Sequence, residues 1–143
     1  MLNTKYSSTK RLAFVIPAFK ERFLAATLAS LAEQTNQDFS VYIGDDASQY
    51  NLPEIIEPFR DKLKLQYRRF NDNLGHNSLV KHWGRCVDLS TEEYFCLLAD
   101  DDVIDRNCVA EFYADLNESN ERYDVYKFSN SLSIQCVKNT GPR

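Results

Sequence analysis

Residues 94–102 read Tyr-Phe-Cys-Leu-Leu-Ala-Asp-Asp-Asp, an apolar run closed by three consecutive carboxylates. A buried strand that ends this way brings like charges together at one edge of a sheet, where they repel unless a cation is present. Mg²⁺ and Mn²⁺ prefer oxygen ligands and usually carry phosphate oxygens as well. The run therefore predicts a metal–diphosphate site. The alternative is a solvated turn in which Asp102 or Asp105 caps the next helix.

Two earlier apolar runs also end in polar or conformationally special residues. Residues 12–16 stop at Pro17-Ala18-Phe19, and residues 39–44 end in Asp45-Asp46. In open α/β sheets, the edge at the carboxyl ends of the strands is where ligands bind. We therefore expect these three strand ends to meet in one binding site.

The order of apolar and amphipathic stretches predicts an α/β domain. Alternating strands and helices with right-handed crossovers give a doubly wound, mostly parallel sheet with flanking helices. Residues 1–11 form a polar lead-in, 12–136 the domain and 137–143 a frayed end. The predicted strands are residues 12–16, 41–44, 63–70, 94–99 and 125–128, and the predicted helices are residues 23–33, 52–59, 78–89 and 105–116.

Composition narrows the classes of function. The 143 residues suffice for one domain with a real core, and the net charge of −4 disfavours a nucleic-acid partner. The four cysteines lack metal-site spacing, so we expect buried free thiols in a reducing compartment. The sequence shows neither a signal peptide nor an 18-residue apolar run. These features favour a soluble, cytoplasmic domain, and they leave the oligomeric state open.

Several short motifs, in order and spacing, resemble the family 2 nucleotide-sugar glycosyltransferases. The resemblance implies the GT-A fold, with a Rossmann-like nucleotide-binding half. The similarity covers roughly residues 12–115 and ends with the acidic run at 100–102. The earlier motifs are residues 15–21 (VIPAFKE), 28–35 (LASLAEQT), 43–48 (IGDDAS) and 73–75 (NLG).

This resemblance implies a set of site residues. Asp46 would accept a hydrogen bond from a ring N–H of uracil or another base, and Phe19, where the family usually has Tyr, would stack on that base. Asp100 and Asp102 would hold Mn²⁺ or Mg²⁺. Since the family's Asp-x-Asp-Asp pattern lacks its first acid here, the sequence leaves open which two of the three acids bind metal. The implied nucleotide-binding residues are Pro17, Ala18, Phe19, Glu21, Asp46, Asn73, Lys81, Asp100 and Asp101.

The resemblance also implies an activity. Such a domain binds a nucleotide-diphospho-sugar, here a UDP-sugar, and the enzyme transfers the sugar with inversion to a hydroxyl of a saccharide or lipid-linked acceptor. That chemistry serves polysaccharide or glycoconjugate synthesis, in full-length proteins that can act at the cytoplasmic face of the membrane. The general base would lie in an acceptor-binding half downstream. We therefore assign no catalytic residue within this chain and expect the chain alone to be weak or inactive.

Two alternatives remain at this stage. One is a non-catalytic nucleotide-binding module, and the other is a haloacid-dehalogenase-type phosphatase that would use Asp100 and Asp102. A dinucleotide-binding enzyme is excluded because no GxGxxG follows the first strand. On the helix at 78–89, we expect Trp83 to pack in the core rather than to form a platform for a sugar. We expect His76 and His82 to be polar surface or loop residues rather than metal ligands.

Overall fold

The computed structural model describes residues 11–128 and 134–140. All predicted strands and helices are present, with ends shifted by a few residues. The predicted helix at 52–59 divides into a short α-helix and a 3-10 turn at Glu57–Phe59. The strands are β1 (Leu12–Ala18), β2 (Ser40–Asp45), β3 (Leu65–Arg69), β4 (Tyr94–Leu97), β5 (Val125–Lys127) and β6 (Gln135–Lys138), and the helices are α1 (Leu24–Ala32), α2 (Leu52–Ile56), α3 (Leu79–Val87) and α4 (Cys108–Glu118).

The six strands form one mostly parallel sheet in the order β3-β2-β1-β4-β6-β5. β1 pairs in parallel with β2 on one side and with β4 on the other, and β2 pairs in parallel with β3. The chain therefore moves outward from β1 to β3 and then returns to the other side of β1. This reversal creates a topological switch point between β1 and β4, which is where an α/β sheet opens a crevice for ligands.

Strand β6 corrects the prediction of a frayed end at 137–143. Val137 and Lys138 belong to β6, which pairs antiparallel with both β4 and β5. Residues 141–143, like most of the predicted lead-in at 1–11, lie outside the described residues. The strand escaped prediction because it has only four residues, and its partner Cys96 lies 40 positions earlier in the chain.

Side chains of β1 alternate between the two faces of the sheet. Leu12, Phe14 and Ile16 join the large core that packs against α1, α2 and α4. Ala13 and Val15 face the other side, where they pack with residues of α3 in a smaller cluster. Since helices cover both faces, β1 is a continuous apolar run, as is usual for a central parallel strand.

Two further predictions concern the core and the cysteines. The predicted apolar face of α1, formed by Leu24, Leu28 and Leu31, is completely buried. All four cysteines are free and buried, as expected. Within the described part of the chain, no helix has both the length and the apolar character needed to cross a membrane.

Candidate functional site

A cleft of about 710 Å³ opens at the carboxyl ends of β1, β2 and β4. It brings together most of the residues that the sequence predicted for nucleotide or metal binding. Residues of α3 and of the preceding 3-10 turn at Leu74–His76 form another part of the wall. The predicted residues that line the cleft are Pro17, Ala18, Phe19, Asp46, Asn73, Asp100, Asp101 and Asp102.

Asp100 lies in the segment after β4, and at the switch point it is hydrogen-bonded to the loop after β1. Its Oδ2 accepts hydrogen bonds from the backbone N–H of Phe19 at 2.9 Å and of Lys20 at 3.0 Å. Its Oδ1 accepts no hydrogen bond from the described residues, so one carboxylate oxygen can meet a ligand. Asp100 thus fixes the shape of the 17–20 loop while it keeps half of its charge available.

The other two acids of the run differ from Asp100 and from each other. Asp102 closes a tight turn, because its N–H donates to the carbonyl of Ala99 and its Oδ2 accepts from the Ala99 N–H at 3.3 Å. Asp101 is exposed at the rim of the cleft. Asp102 does not cap the next helix, because α4 begins only at Cys108, with Asn107 at its N-cap position.

Asp45 is a buried carboxylate that stabilises the carboxyl end of β2 through hydrogen bonds. It is fully buried, and it accepts hydrogen bonds from the Ser48 N–H at 2.8 Å, from Arg69 Nη1 at 3.2 Å and from the Tyr67 hydroxyl. Burial, followed by this carboxylate, raises the pKa of Tyr67 to about 12. Asp45 therefore supports the turn that presents Asp46 and is not part of the cleft surface.

Asp46 is the predicted base-binding carboxylate, and it lies at the bottom of the cleft with only 4% of its surface exposed. Its Oδ1 accepts from the N–H of Leu74 at 2.8 Å and from Arg85 Nη2 at 2.7 Å. Its Oδ2 accepts from the N–H of Gly75 at 2.9 Å. A carboxylate oxygen has two lone pairs, so Oδ2 retains room for one more donor.

The turn at Gly75 comes so close to Asp46 that it has no space for a side chain. A Cβ on Gly75 would lie 2.5 Å from Asp46 Oδ2. The position therefore requires glycine for close approach. This explains physically why an Asn-Leu-Gly motif accompanies the Asp-Asp motif.

Arg85 was not predicted from the sequence, although it contacts Asp46 directly; Lys20, which lines the cleft, was not predicted as a site residue either. From α3 the guanidinium of Arg85 reaches Asp46, Asp72 at 2.8 Å and Nδ1 of His82 at 3.0 Å. Its Cζ lies 4.0 Å from the centre of the Phe70 ring. The available signal was the spacing of Arg85 three residues after His82, which places both on one face of a helix.

His82 is 3% exposed, so the prediction that it is a surface residue is wrong. Burial lowers its pKa, with Asp46 opposing and Arg85 adding to that shift. A neutral imidazole can accept the Arg85 Nε–H at Nδ1, and its Nε2 lies 3.5 Å from the Cys86 sulfur. Burial raises the pKa of Cys86 to about 12, which keeps this thiol protonated.

Three other predicted roles need correction. Glu21 is exposed ahead of α1 and does not line the cleft. Lys81 is exposed and also lies outside it, because neighbouring residues are about 100° apart around a helix and His82 takes the inward position. Trp83 is 39% exposed and lines the cleft, so it is not a core residue.

The acids suit a hard divalent cation that shares its ligands with a phosphate. Among the described residues no three His, Cys, Asp or Glu side chains are grouped as a complete metal site. Mg²⁺ typically needs only one or two carboxylates, with phosphates and water as its other ligands. Asp100 through Oδ1, and Asp101 and Asp102, which are also on the cleft lining, are the acids that could supply such ligands.

Comparison with known proteins agrees with this fold. The chain superimposes on S. aureus TarS 1-349 in complex with UDP with a TM-score of 0.73 and 24% identity, over 80% of this chain and 34% of that one. It also matches the mannosyltransferase PcManGT from Pyrobaculum calidifontis in complex with GDP-Man and Mn²⁺, with a TM-score of 0.63 and 15% identity, over 92% and 45%. The fold is therefore the GT-A-type α/β architecture.

Sequence comparison gives the family. Residues 13–131, most of the chain, match the profile described as Glycosyl transferase family 2, and the chain belongs to that family. It is also 33% identical over 109 residues to a chondroitin synthase of Escherichia coli. That match covers 64% of this chain but only 16% of the synthase. Membership in this family, and the location of the acidic run on β4 rather than β1, argue against the dehalogenase-type alternative.

Proposed function

We propose that this chain is the donor-binding part of a glycosyltransferase and that its cleft binds a nucleotide-diphospho-sugar, most simply a UDP-sugar. One observation carries the proposal: the cleft at the β1–β4 switch point brings together Asp46 and Asp100, each with a carboxylate oxygen that can accept a further contact. In this arrangement Asp46 Oδ2 receives the ring N–H of the base. Phe19 stacks on the base, and the acidic run lies near the diphosphate.

The charges around the cleft support a role for Mn²⁺ or Mg²⁺. Asp100, Asp101 and Asp102 crowd one end, and they would repel a diphosphate unless a cation intervened. We propose that Asp100 and Asp102 hold the cation, which when bound stabilises the negative charge of the departing diphosphate as a Lewis acid. A divalent cation is supported by the neighbour PcManGT, which was solved with GDP-Man and Mn²⁺.

Lys20 is the second source of positive charge that we propose for the diphosphate. It lines the cleft where the family usually has Asn, and its backbone N–H donates to Asp100. In the described part of the chain its ammonium pairs with no acid. A lysine ammonium is a compact charge on a flexible stem and can reach phosphate oxygens as a point charge.

The proposed reaction transfers a sugar to a hydroxyl group. The acceptor oxygen bonds to the anomeric carbon, the bond from that carbon to the diphosphate oxygen breaks with its electron pair on the diphosphate, and the hydroxyl proton passes to a carboxylate base. We place that base outside the residues of this cleft. By analogy with the chondroitin synthase relative, we propose a role in polysaccharide or glycoconjugate synthesis. The proposed acceptor is a saccharide or a lipid-linked saccharide, and the proposed location is the cytoplasm.

A panel of nucleotides tests the proposal. Isothermal calorimetry with the 143-residue chain should rank UDP, GDP, ADP and CDP with Mn²⁺ present, and UDP should bind most tightly. Binding of UDP together with sugar transfer by a longer protein that contains this chain would support the enzyme. Binding without transfer in every longer protein tested would favour the non-catalytic module instead.

A further inference from the structure

We infer that Arg85 is a positioning residue that sets the orientation of Asp46 and thereby the preference of the cleft for a base with a ring N–H donor. The inference rests on the proposed function, because it assumes that Asp46 Oδ2 receives that N–H. It starts from the contacts by which the guanidinium of Arg85 connects α3 to Asp46, after β2, and to Asp72, after β3.

The guanidinium uses four of its five N–H groups in these contacts. Nη2 donates to Asp46 Oδ1 at 2.7 Å and to the Asp72 carbonyl at 2.8 Å, and Nη1 donates to Asp72 Oδ1 at 2.8 Å. Nε donates to Nδ1 of His82 at 3.0 Å. The plane of the group packs on Phe70, with Cζ 4.0 Å from the ring centre. Contacts from both the edge and the face of the group leave it a single position.

The contact with Arg85 gives the two oxygens of Asp46 different numbers of hydrogen bonds. Arg85 and the Leu74 N–H occupy Oδ1, whereas Oδ2 carries only the Gly75 N–H. The two oxygens are equivalent, so a half-turn of the carboxylate restores the same arrangement, but any other rotation would break the contact between Asp46 and Arg85. Arg85 therefore keeps the partly free Oδ2 on the side of Gly75, which is a residue of the cleft lining.

A lysine could not take over this role. It presents a rotatable ammonium without the planar fork that binds Asp46 and Asp72 together, and it does not stack on an aromatic ring as Arg does. Arg85→Lys therefore keeps the charge near Asp46 and removes the orientation. That separation makes Arg85→Lys the informative variant.

The experiment compares the binding of UDP and of N3-methyl-UDP, whose base lacks the ring N–H, to the 143-residue chain by calorimetry with Mn²⁺. The parent should prefer UDP by about tenfold, the value of one hydrogen bond to a charged group. In Arg85→Lys the affinity for UDP should fall by a similar factor while the affinity for N3-methyl-UDP stays within about twofold, so that the preference disappears. Arg106→Lys, at an exposed position outside the cleft, is the matched control and should keep the preference.

Two other results would overturn the inference, and they differ from each other. If the parent prefers UDP and Arg85→Lys keeps that preference, or loses affinity for both nucleotides equally, Arg85 has only a structural role and the proposed function stands. If the parent itself does not distinguish the two nucleotides, the role of Asp46 in the proposed function fails as well. If Arg85→Lys does not fold, Asp72→Asn provides a second test, because it removes the charge of the exposed ion-pair partner of Arg85. The preference for UDP over N3-methyl-UDP should then fall about threefold. An unchanged preference in Asp72→Asn would count against the inference.

Discussion

The carboxylate of Asp100 accepts a 2.9 Å hydrogen bond from the backbone N–H of Phe19, although the two residues are 81 positions apart in the chain. This contact closes the switch point between β1 and β4. It places the predicted base-stacking ring beside the predicted metal-binding acids. The cleft is thus held by the same groups that we propose to bind its ligand, and several substitutions can separate the two roles.

Gly75→Ala should weaken UDP binding by about tenfold, because the new Cβ at 2.5 Å from Asp46 Oδ2 must displace the oxygen that receives the base. Gly84→Ala is a matched control, since a Cβ there meets no atom within 4 Å. The control should leave UDP affinity unchanged and raise the free energy of unfolding by about 1 kcal/mol, because Ala favours a helix. Calorimetry and urea denaturation measure the two quantities. Equal UDP affinity in Gly75→Ala and the parent would remove Asp46 Oδ2 from the site.

Ala47→Gly should stabilise the domain. Ala47 has a φ of 57°, in the left-handed region that costs a residue with a Cβ about 1–2 kcal/mol. Glycine avoids this cost but loses about 0.5–1 kcal/mol of chain entropy, so a net gain of about 0–1.5 kcal/mol is expected. Ala26→Gly, on the exposed side of α1, should instead destabilise by about 1 kcal/mol. Urea denaturation of both variants decides the matter, and a loss of stability in Ala47→Gly would contradict the expectation.

The buried His82 should make stability depend on pH. Burial lowers its pKa in the folded chain, so below a pH of about 6.5 the unfolded chain binds a proton that the folded chain resists. The free energy of unfolding should therefore fall as the pH drops below 6.5. Between pH 7.5 and 5.5, His82→Gln should lose less stability than the parent, while the exposed His76→Gln should follow the parent. Parallel pH profiles for parent and His82→Gln would contradict this.

Lys20→Gln tests the proposed contact with the diphosphate. UDP affinity should fall by about 1.4-fold to fivefold, in line with the roughly 0.2–1 kcal/mol of an exposed ion pair, and affinity for uridine should not change. Lys81→Gln removes an equal charge from outside the cleft and should alter neither. Calorimetry at low ionic strength measures the binding of UDP and of uridine to each of the two variants, for comparison with the parent. A loss of affinity for UDP and uridine alike would place Lys20 near the base instead.

Local patterns in the sequence were enough to predict the helices and the central strands. The face of α1 formed by Leu24, Leu28 and Leu31 follows from helical spacing alone, and β1 follows from an uninterrupted apolar run. Strand β6 could not be predicted in this way, since its formation depends on pairing with β4 and β5. Non-local pairing leaves little trace in a stretch of four residues.

In the site, too, local sequence patterns predicted some residues, whereas the roles of others depend on contacts between distant parts of the chain. Asp46 and Asp100 could be predicted because they end apolar strands, and strand ends meet at one edge of the sheet. On α3, helical spacing gives the angle of each side chain but not what lies opposite. Trp83 therefore lines a cleft rather than a core, and His82 is buried. The role of Arg85 depends on Asp46 and Asp72, which only the folded chain brings within its reach.

The central claim is that the acidic run binds a divalent cation that bridges to the diphosphate of the donor. Asp100→Asn keeps an oxygen for the N–H groups of Phe19 and Lys20 and removes the charge, so the 17–20 loop should stay in place. Asp115→Asn, on the exposed side of α4, is the matched control.

The most direct test is calorimetry of UDP binding with Mn²⁺ and with a chelator, on the parent, Asp100→Asn and Asp115→Asn. We expect the parent and Asp115→Asn to bind UDP at least about tenfold more tightly with Mn²⁺, and Asp100→Asn to show the same weak binding in both conditions while its melting temperature is not lowered. Equal UDP affinity with and without the chelator in the parent, and identical behaviour of Asp100→Asn, would contradict the claim and reduce the acidic run to a turn.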